Sequence, residues 1–513
     1  MEKQIRRLEA AALGVFDYLD SRLHIKDLWN HTAGHVIPKS AASWFYVFGS
    51  ATLLCLVVQL ITGTLLAFAY VPSGVDGYAT LQYLTYHQDL GWLLRGIHYW
   101  GSNFMVSLML IHMVQVFMFG AYKYPRELTW VSGCILMVCT LGMSFTGQVL
   151  RFDGDSYWGL GIGAAIAGRS PVIGDQVVHL MLGGPIIASE TLSRFFSLHV
   201  FVIPGTILAL VALHLRLVLA KGISEYPQPG KIVRRDTYDR EYAETLKTAG
   251  MPFAPYGIWK DLVAGAIVIG GIVGFALYFG PKGPFDPPFP SNIDSVPRPD
   301  FFFMWIFAIA ALMPDYMETF ALLVGPPIGI MLLVALPFVN NTGERSWRRR
   351  PVSVLVVLFL VLSLGLLTYL GITSPWSPAM SAWKADPTPT HLIIGRSPLE
   401  LQGLNVIQNK QCRNCHALDG IGGKRGPDLA EVGERLNRDQ LIRQVIQGGG
   451  NMPAFGKNLS PDEIDAVVAY MVSLRGSGPT SRSSIVPAVP PEQSSEKKGG
   501  AETSGESHEP SKS

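Results

Sequence analysis

Two long apolar segments, each containing two histidines, constrain the possible folds of this chain more than any other feature. The segments, Gly91 to Phe119 and Leu192 to Leu219, are long and apolar enough to cross a bilayer. The histidines are His98 and His112 in the first segment, fourteen residues apart, and His199 and His214 in the second, fifteen apart. Ionisable side chains inside a membrane span are costly and usually mark function. The pattern therefore predicts ligand-binding histidines at two depths of a membrane.

The composition also indicates a membrane protein in contact with lipid. Of the 513 residues, 49% are hydrophobic and 16% are charged, whereas about 25% of the residues of soluble domains are charged. The net charge of +2 is too small to indicate nucleic-acid binding.

Hydropathy predicts seven spans and hence an all-α polytopic membrane protein, with a four-helix bundle followed by three further spans. The predicted spans are residues 44–70, 91–119, 128–149, 192–219, 257–280, 318–339 and 352–371. Phe301 to Leu312 is apolar but too short to cross, so we expect a re-entrant or packed helix there.

Changes in composition divide the chain into six parts. These are an amphipathic N-terminal segment (1–43), a four-helix domain (44–225), a three-helix domain (226–372), a linker (373–399), a small all-α domain (400–475) and a tail (476–513). The tail is polar and rich in Pro and Gly, so we expect it to be disordered. Met1 to Lys39 lacks the short apolar core of a cleavable signal.

The distribution of Lys and Arg predicts the orientation of the chain. With seven spans, the N-terminus shares one face with the loops at 120–127, 221–256 and 340–351, and these loops are rich in Lys and Arg. The opposite loops, 71–90 and 281–300, contain only Lys282 and Arg298. The positive-inside rule therefore places the N-terminus in the cytoplasm and the 400–475 domain on the outer face.

The small domain contains the sequence Cys412-Arg-Asn-Cys415-His416, which is the attachment motif of a covalent c-type haem. His416 would bind the iron on one side, and a methionine further along would bind it on the other. Met452, beside Pro453, is the preferred methionine, and Met471 is the alternative. A redox dithiol or half of a zinc site would also use two cysteines, but the chain has no second such pair.

The four histidines have the spacing of ligands to two b-type haems. Fourteen residues of α-helix rise about 21 Å, and the two spans run in the same direction. His98 should therefore pair with His199 near the outer face, and His112 with His214 near the cytoplasmic face. Four glycines in the first and third spans repeat the spacing, namely Gly49 and Gly63, and Gly133 and Gly147. Helix packing explains any one of them, but the shared spacing favours close approach of a flat haem.

These motifs identify a resemblance to the cytochrome b of the Rieske/cytochrome b complexes. Residues 16–225 resemble the cytochrome b6 form, and residues 250–371 resemble its subunit IV. The matching sequences are GWLLRGIH (91–98), YPRELTW (124–130), SPVIG (170–174) and FSLH (196–199) in the first part, and the Pro337-Phe and Arg349-Arg-Pro351 sequences in the second. With its class I-like cytochrome c domain, the chain looks like a fusion of cytochrome b6 with subunit IV and cytochrome c.

The resemblance implies a quinol oxidation site on the outer face. The Pro-Glu-Trp-Tyr motif of the family aligns with Pro299-Asp300-Phe301-Phe302, so Asp300 would accept a quinol proton. Asp300 could also serve as a helix N-cap, and Asp315 lies in a similar sequence but after the apolar segment. The other pocket residues implied are Phe145, Thr146, Gly147, Val149, Leu150 and Tyr157. Arg95 would meet the propionates of the outer haem.

The implied activity is that of a quinol:cytochrome c oxidoreductase that translocates protons across the bacterial cytoplasmic membrane. The expected cofactors are two non-covalent b haems and one covalent c haem, and the expected quinol is menaquinol. A separate Rieske protein is expected as a partner, with further cytochrome c and a second copy of the complex. The alternatives are a di-haem b membrane anchor that exchanges electrons between quinone and another redox partner, and a tethered electron carrier.

One departure from the family concerns the inner face. Cytochrome b6 attaches a further haem through a cysteine on the first span, and Val47 stands at that position here. We therefore expect no covalent third haem in the membrane domain. Arg216, Lys221, Lys39 and Asp20 are the candidates for the inner quinone site.

Overall fold

The described part of the chain is mostly helical. The structure is a computed structural model that describes residues 1–184, 187–288, 297–313, 315–373, 387–410, 412–422, 426–448, 452, 455–456 and 459–475. The predicted tail (476–513) and residues 374–386 of the predicted linker lie outside the described residues.

Among the described residues, seven helices are long and apolar enough to cross a membrane, which confirms the predicted fold class. The first to seventh spans are Trp44–Ala67, Gly91–Met118, Glu127–Val149, Ser189–Lys221, Ile258–Phe279, Thr319–Val339 and Pro351–Thr373. The sixth span joins the helices Asp315–Leu323 and Gly325–Val339.

Shorter helices lie between and before the spans. They are Glu2–Leu23, Ile25–His31, Asp76–Tyr86, Gly154–Gly168, Gly174–Leu182, Tyr238–Ala249 and Phe253–Tyr256, with single 3-10 turns at Lys39–Ala41, Trp44–Tyr46 and Trp347–Arg349. The helix Phe301–Leu312 packs against the seventh span. Met304 lies so close to Gly371 in that span that a Cβ on the glycine would meet it. Phe301–Leu312 is therefore a packed helix, one of the two possibilities that its length left open.

The first four spans form the bundle that contains the histidines. The first span packs along the second, the third packs along the fourth, and the fifth lies against the first and second. A small core between them includes Cys55, Met105, Ile207 and Ile272. The two histidine-bearing spans therefore face the two glycine-bearing spans.

A π-helical turn at Leu198–Val202 interrupts the fourth span at His199. A regular α-helix turns about 100° per residue, so the fifteen-residue spacing would rotate His214 away from the face of His199 compared with a fourteen-residue spacing. A π turn takes up one extra residue. Pro204, just after this turn, has no backbone N–H to donate to a helical hydrogen bond. The wider turn therefore costs no backbone hydrogen bond at Pro204. The turn accounts for the unequal spacing of the two histidine pairs.

Three loops on one side of the membrane domain are joined by backbone pairing. Val36–Pro38 pairs antiparallel with Gly250–Pro252, and Ile232–Val233 pairs with Gly343–Glu344.

Lys123 donates hydrogen bonds to Asn340 Oδ1 (2.8 Å) and Thr342 O (2.6 Å). Burial and two nearby arginines lower the pKa of Lys123 to about 8.

The C-terminal domain is built on two crossing helices, Pro398–Asn409 and Pro461–Ser473. Gly403 allows this crossing because a Cβ there would overlap the carbonyl oxygen of Ala466. The remaining elements are Thr390–Leu392, Cys412–Asn414, Val432–Arg435 and Arg438–Gln447, and the hairpin of Ala417–Leu418 with Ile421–Gly422. Ser397, Asn437 and Ser460 cap their helices with capping boxes.

Candidate functional site

Two histidines and two glycines from four spans meet at one depth of the bundle, which we name the His98 level. The rings of His98 and His199 have centroids 6.3 Å apart. A Cβ on Gly63 would lie 3.1 Å from His98 Cε1, and one on Gly147 would lie 2.8 Å from His199 Cε1. Glycine is therefore needed at both positions for the rings to lie where they do.

Hydroxyl groups fix the orientation of both rings at the His98 level. Thr62 Oγ1 lies 2.8 Å from His98 Nδ1, and Thr146 Oγ1 lies 2.9 Å from His199 Nδ1. Each Nδ1 is thereby occupied, which leaves Nε2 for a ligand. Metal–nitrogen bonds are about 2 Å long, so rings 6.3 Å apart leave room for one iron between them. These residues fit a bis-imidazole haem.

The same arrangement recurs at a second depth, which we name the His112 level. A Cβ on Gly49 would lie 3.2 Å from His112 Cε1, and one on Gly133 would lie 3.5 Å from His214 Cε1. Ser132 Oγ lies 2.9 Å from His214 Nδ1. Each of the four glycines thus lies against one of the four histidines, so the residues at this level also fit a haem.

A cavity of about 240 Å³ surrounds the His98 level and extends to the loop that precedes the helix Phe301–Leu312. Its lining includes His98, His199, Gly63, Gly147, Arg95, Tyr99, Gln148, Leu150, Arg151, Lys282 and Asp300. The predicted proton acceptor therefore borders the same cavity as the two histidines.

Asp300 forms an ion pair in this cavity. Lys282 Nζ lies 2.9 Å from Asp300 Oδ1, and the side chains of the two residues are 23% and 11% exposed, respectively. The hydroxyl of Tyr99 lies 3.5 Å from the same carboxylate oxygen. Asp300 occupies the N-cap position of the helix Phe301–Leu312, but its side chain makes no capping hydrogen bond. The carboxylate is therefore directed at the cavity lysine and not at the helix end.

Arg95 is a buried residue that joins the second span to the loop after the fifth. Its guanidinium donates to the carbonyl oxygens of Lys282 and Gly283, each at 3.0 Å, and to the hydroxyl of Thr85. Because it also lines the cavity, its positive charge is available to an anionic group there.

The loop that bears Asp300 is held against the turn after the third span. Arg151 bonds to Asp153 Oδ2 at 3.0 Å and to Asp155 Oδ2 at 2.7 Å. Asp153 accepts from the backbone N–H of Phe285, and Asp155 accepts from that of Arg298, each at 3.0 Å. Burial alone would raise the pKa of Asp153, but Arg151 and the backbone donors hold it below its ordinary value. This network fixes both ends of the described loop.

The other predicted pocket residues lie in packed clusters beside the cavity. Tyr157 packs with Phe152, Trp158 and Leu192, and burial raises its pKa to about 12. Phe145 packs edge-on against Phe195.

Of the two phenylalanines predicted to line the pocket, Phe301 and Phe302, only Phe302 is buried. Phe302 packs with Val106, Met109 and Met137 in the bundle, whereas Phe301 is 42% exposed. Of the residues predicted to form the other wall of the quinol pocket, Gly147 and Leu150 line the cavity directly. Pro299 lies beside Asp300 in the loop that precedes the helix Phe301–Leu312.

The c-type motif lies in a short 3-10 turn, Cys412–Asn414. His416 Nδ1 lies 2.8 Å from the carbonyl oxygen of Pro427, so this nitrogen is held and Nε2 is left for a ligand. Burial lowers the pKa of His416. Both cysteines are free thiols, as thioether attachment requires. The residues fit a covalent haem.

The two candidate methionines of this domain have different surroundings. Met452 is partly buried at the edge of the core, where Gln444 Nε2 lies 3.6 Å from its sulfur. Met471 is 6% exposed and lies within the core on the helix Pro461–Ser473. Of these two methionines, Met452 is therefore the one whose sulfur lies at the border of the core, whereas the side chain of Met471 is packed inside it.

Several residues of these sites were not predicted from the sequence. Thr62, Ser132 and Thr146 each precede a glycine of the histidine levels, so a hydroxyl–glycine pair was the available signal. Lys282 is one of the two basic residues in the loops 71–90 and 281–300. Asp261 lies in the fifth span near Ser50, the residue after Gly49. A carboxylate inside a span was the signal for Asp261.

Comparison with protein-family models divides the chain into three matched regions. The model described as Cytochrome b/b6/petB matches residues 33–222, and that described as Cytochrome b(C-terminal)/b6/petD matches residues 290–385. The model described as Cytochrome C oxidase, cbb3-type, subunit III matches residues 400–471.

The chain is also similar to individual proteins of known sequence or structure. Cytochrome b6 of Synechococcus elongatus is 38% identical over 210 residues, which cover 41% of this chain and 97% of that protein. Cytochrome b6 of Synechocystis sp. (strain ATCC 27184 / PCC 6803 / Kazusa) is also 38% identical, over 41% of this chain and 94% of that protein. A solved structure titled Hyperthermophilic respiratory Complex III matches with a TM-score of 0.60 and 29% identity, over 70% of this chain and 92% of that chain.

Proposed function

Because the chain belongs to the cytochrome b/b6 family and is a multi-pass membrane electron-transfer subunit of the cytochrome bc type, we propose that it is the cytochrome b/c subunit of a quinol:cytochrome c oxidoreductase. The observation that carries the proposal is the shared cavity of His98, His199 and Asp300. A proton-accepting carboxylate beside a haem-binding pair is what quinol oxidation needs, since quinol gives up electrons and protons together.

The haem-binding residues follow from the histidine levels and the c-type motif. His98 and His199 would hold one b haem, with Arg95 facing its propionates, and His112 and His214 would hold the other. Cys412, Cys415, His416 and Met452 would hold the c haem. When bound, these groups supply one-electron transfer, across the membrane for the b haems and outward for the c haem.

The residues around Asp300 suit the handling of a quinol, which we infer to be menaquinol. Asp300 Oδ1 would accept a quinol proton, and Lys282 Nζ, 2.9 Å away, stabilises the carboxylate before that transfer. Gly147 and Leu150 supply an apolar wall that excludes water.

A second quinone site on the opposite face would complete proton translocation. Asp261 and Ser50 lie beside Gly49 at the His112 level, and Lys260 donates a hydrogen bond to the carbonyl oxygen of Ala42. These groups could supply protons to a quinone reduced there. The paired basic loops support a cytoplasmic location for this face, in a bacterial inner membrane, with the C-terminal domain outside.

The proposal requires partners. Quinol releases two electrons, and the branch to the c haem needs a separate Rieske iron–sulfur protein, because the five cysteines include no Cys-His pair set for such a cluster. The family resemblance extends the proposal to a homodimer of the complex and to a further cytochrome c as acceptor.

The decisive experiment is quinol oxidation by the purified complex carrying Asp300→Asn. We expect a loss of about 10²- to 10⁴-fold in the rate, the usual contribution of a general base, with sensitivity to a quinol analogue in the wild type. A pyridine haemochrome assay of both proteins should give two b haems for each c haem, which shows that the variant is assembled. Unchanged quinol oxidation by the variant would refute the site.

A further inference from the structure

In three of the four membrane histidines, the ring nitrogen Nδ1 forms a hydrogen bond with a Thr or Ser hydroxyl on a neighbouring span. The Nδ1 atoms of His98, His199 and His214 lie 2.8, 2.9 and 2.9 Å from the hydroxyl oxygens of Thr62, Thr146 and Ser132, respectively. Each hydroxyl gives its own proton to a carbonyl of its helix, at Val58 (2.7 Å), Gly142 (2.9 Å) and Thr129 (2.9 Å). The hydroxyl oxygen is therefore the acceptor, and the histidine N–H is the donor.

His112 is the exception. Its Nδ1 is buried and has no hydrogen-bond partner within the described part of the chain. The three hydroxyl residues each directly precede the glycine that lies against a histidine, and Phe48 stands at the matching place before Gly49. Ser50, on the other side of that glycine, donates instead to the carbonyl oxygen of Val47 at 2.9 Å.

We propose that Phe48, by withholding this hydrogen bond from His112, raises the reduction potential of the b haem at the His112 level. This inference rests on the proposed haem ligation. A hydrogen bond from Nδ1–H makes an imidazole a more basic ligand, and a more basic ligand stabilises ferric iron. The His98 level has two such bonds and the His112 level has one, so this difference favours movement of an electron from the His98 level to the His112 level. The step is a one-electron exchange in which one iron is oxidised and the other reduced, and no bond or proton changes place.

Other charges act on the two levels as well. Arg95 and Lys282 line the cavity at the His98 level, and their positive charges act in the opposite sense to its two hydrogen bonds. The test must therefore compare the same haem with and without the hydroxyl.

The experiment is a redox titration of the b haems in the purified complex. Phe48→Ser introduces a hydroxyl at the place occupied by Thr62, Thr146 and Ser132 on the other helices, and Phe48→Ala is the matched control that opens the same space without it. We expect Phe48→Ser to favour the oxidised form of one b haem about tenfold relative to Phe48→Ala, a shift of about 59 mV for a one-electron couple. The second b haem should be unchanged.

A reciprocal variant keeps the test decisive if the Phe48 variants do not assemble. Thr62→Val removes the acceptor from His98 with little change of shape, and it should raise the potential of the b haem that Phe48→Ser leaves unchanged, whereas Thr62→Ser should not. Equal potentials in Phe48→Ser and Phe48→Ala, or in Thr62→Val and Thr62→Ser, would overturn the inference. Such a result in a complex with two b haems and normal quinol oxidation would leave the proposed function intact, whereas the absence of two b haems would refute the function itself.

Discussion

Lys282 Nζ and Asp300 Oδ1 lie 2.9 Å apart in the cavity that also contains the facing rings of His98 and His199. The aspartate lies eighteen positions after the lysine in the sequence. The pair joins the two ends of the loop that runs from the fifth span to the helix Phe301–Leu312.

This ion pair predicts a specific coupling between two substitutions. Lys282→Gln should lower the rate of quinol oxidation about tenfold, because it leaves a mostly buried carboxylate without its cation. In an Asp300→Asn background the same change should have little further effect, since no charge remains to be paired. The measurement is quinol-dependent reduction of cytochrome c by the four purified complexes, and additive losses would contradict a direct role for the pair.

The close contact of Gly147 with His199 predicts selective loss of one b haem. Gly147→Ala would place a Cβ 2.8 Å from His199 Cε1 and so displace the ring. We expect the b-haem content, measured as pyridine haemochrome against the c haem, to fall from two to one. Gly142→Ala is the matched control on the same span, because its Cβ would meet nothing nearer than Ile203 at 4.0 Å. Full haem content in Gly147→Ala would show that this glycine does not position a ligand.

The buried pair of Arg151 and Asp153 predicts a defined pH dependence of stability. The pKa of Asp153 is below its ordinary value in the fold, so the pair stabilises the protein above about pH 4, the pKa of an unfolded Asp, and this contribution is lost as the pH falls through the folded value. Asp153→Asn should cost about 3–5 kcal/mol near pH 7 and should remove this part of the acid sensitivity. Thermal unfolding between pH 3 and 7 measures both effects. Asp286→Asn, at an exposed side chain in the loop that Asp153 contacts, should match the wild type. Equal acid sensitivity of Asp153→Asn and wild type would contradict the prediction.

The two methionines of the C-terminal domain predict different effects on the c haem. Methionine ligation raises the potential of a c haem, so Met452→Leu should lower its midpoint potential markedly. Met471→Leu replaces a core side chain with one of similar size and should leave the potential unchanged while costing less than about 1.5 kcal/mol of stability. A potential that responds to Met471→Leu alone would assign the ligand to Met471.

The sequence was informative about the spans and the spacing within them. Long apolar runs are local, so all seven spans could be predicted without knowledge of their contacts. The sequence was less informative about partners, because a hydroxyl such as Thr62 is unremarkable until its neighbour across the bundle is known. Tyr157 and Phe302 were predicted to face the quinol on the basis of family resemblance, and the structure places both in packed clusters.

By itself, the amino-acid sequence determined that this chain crosses a membrane seven times, with histidines at two depths and a c-type motif after the last span. Hydropathy and helical rise act along one segment at a time, which is why the sequence suffices for them. Tertiary structure alone decided three further features. These are the π turn that accommodates the extra residue between His199 and His214, the ion pair of Lys282 with Asp300, and the absence, among the residues that the structure describes, of a hydrogen-bond partner for His112 Nδ1. Each of these depends on which atoms of distant segments come within a few ångströms, and this is fixed only when the helices pack.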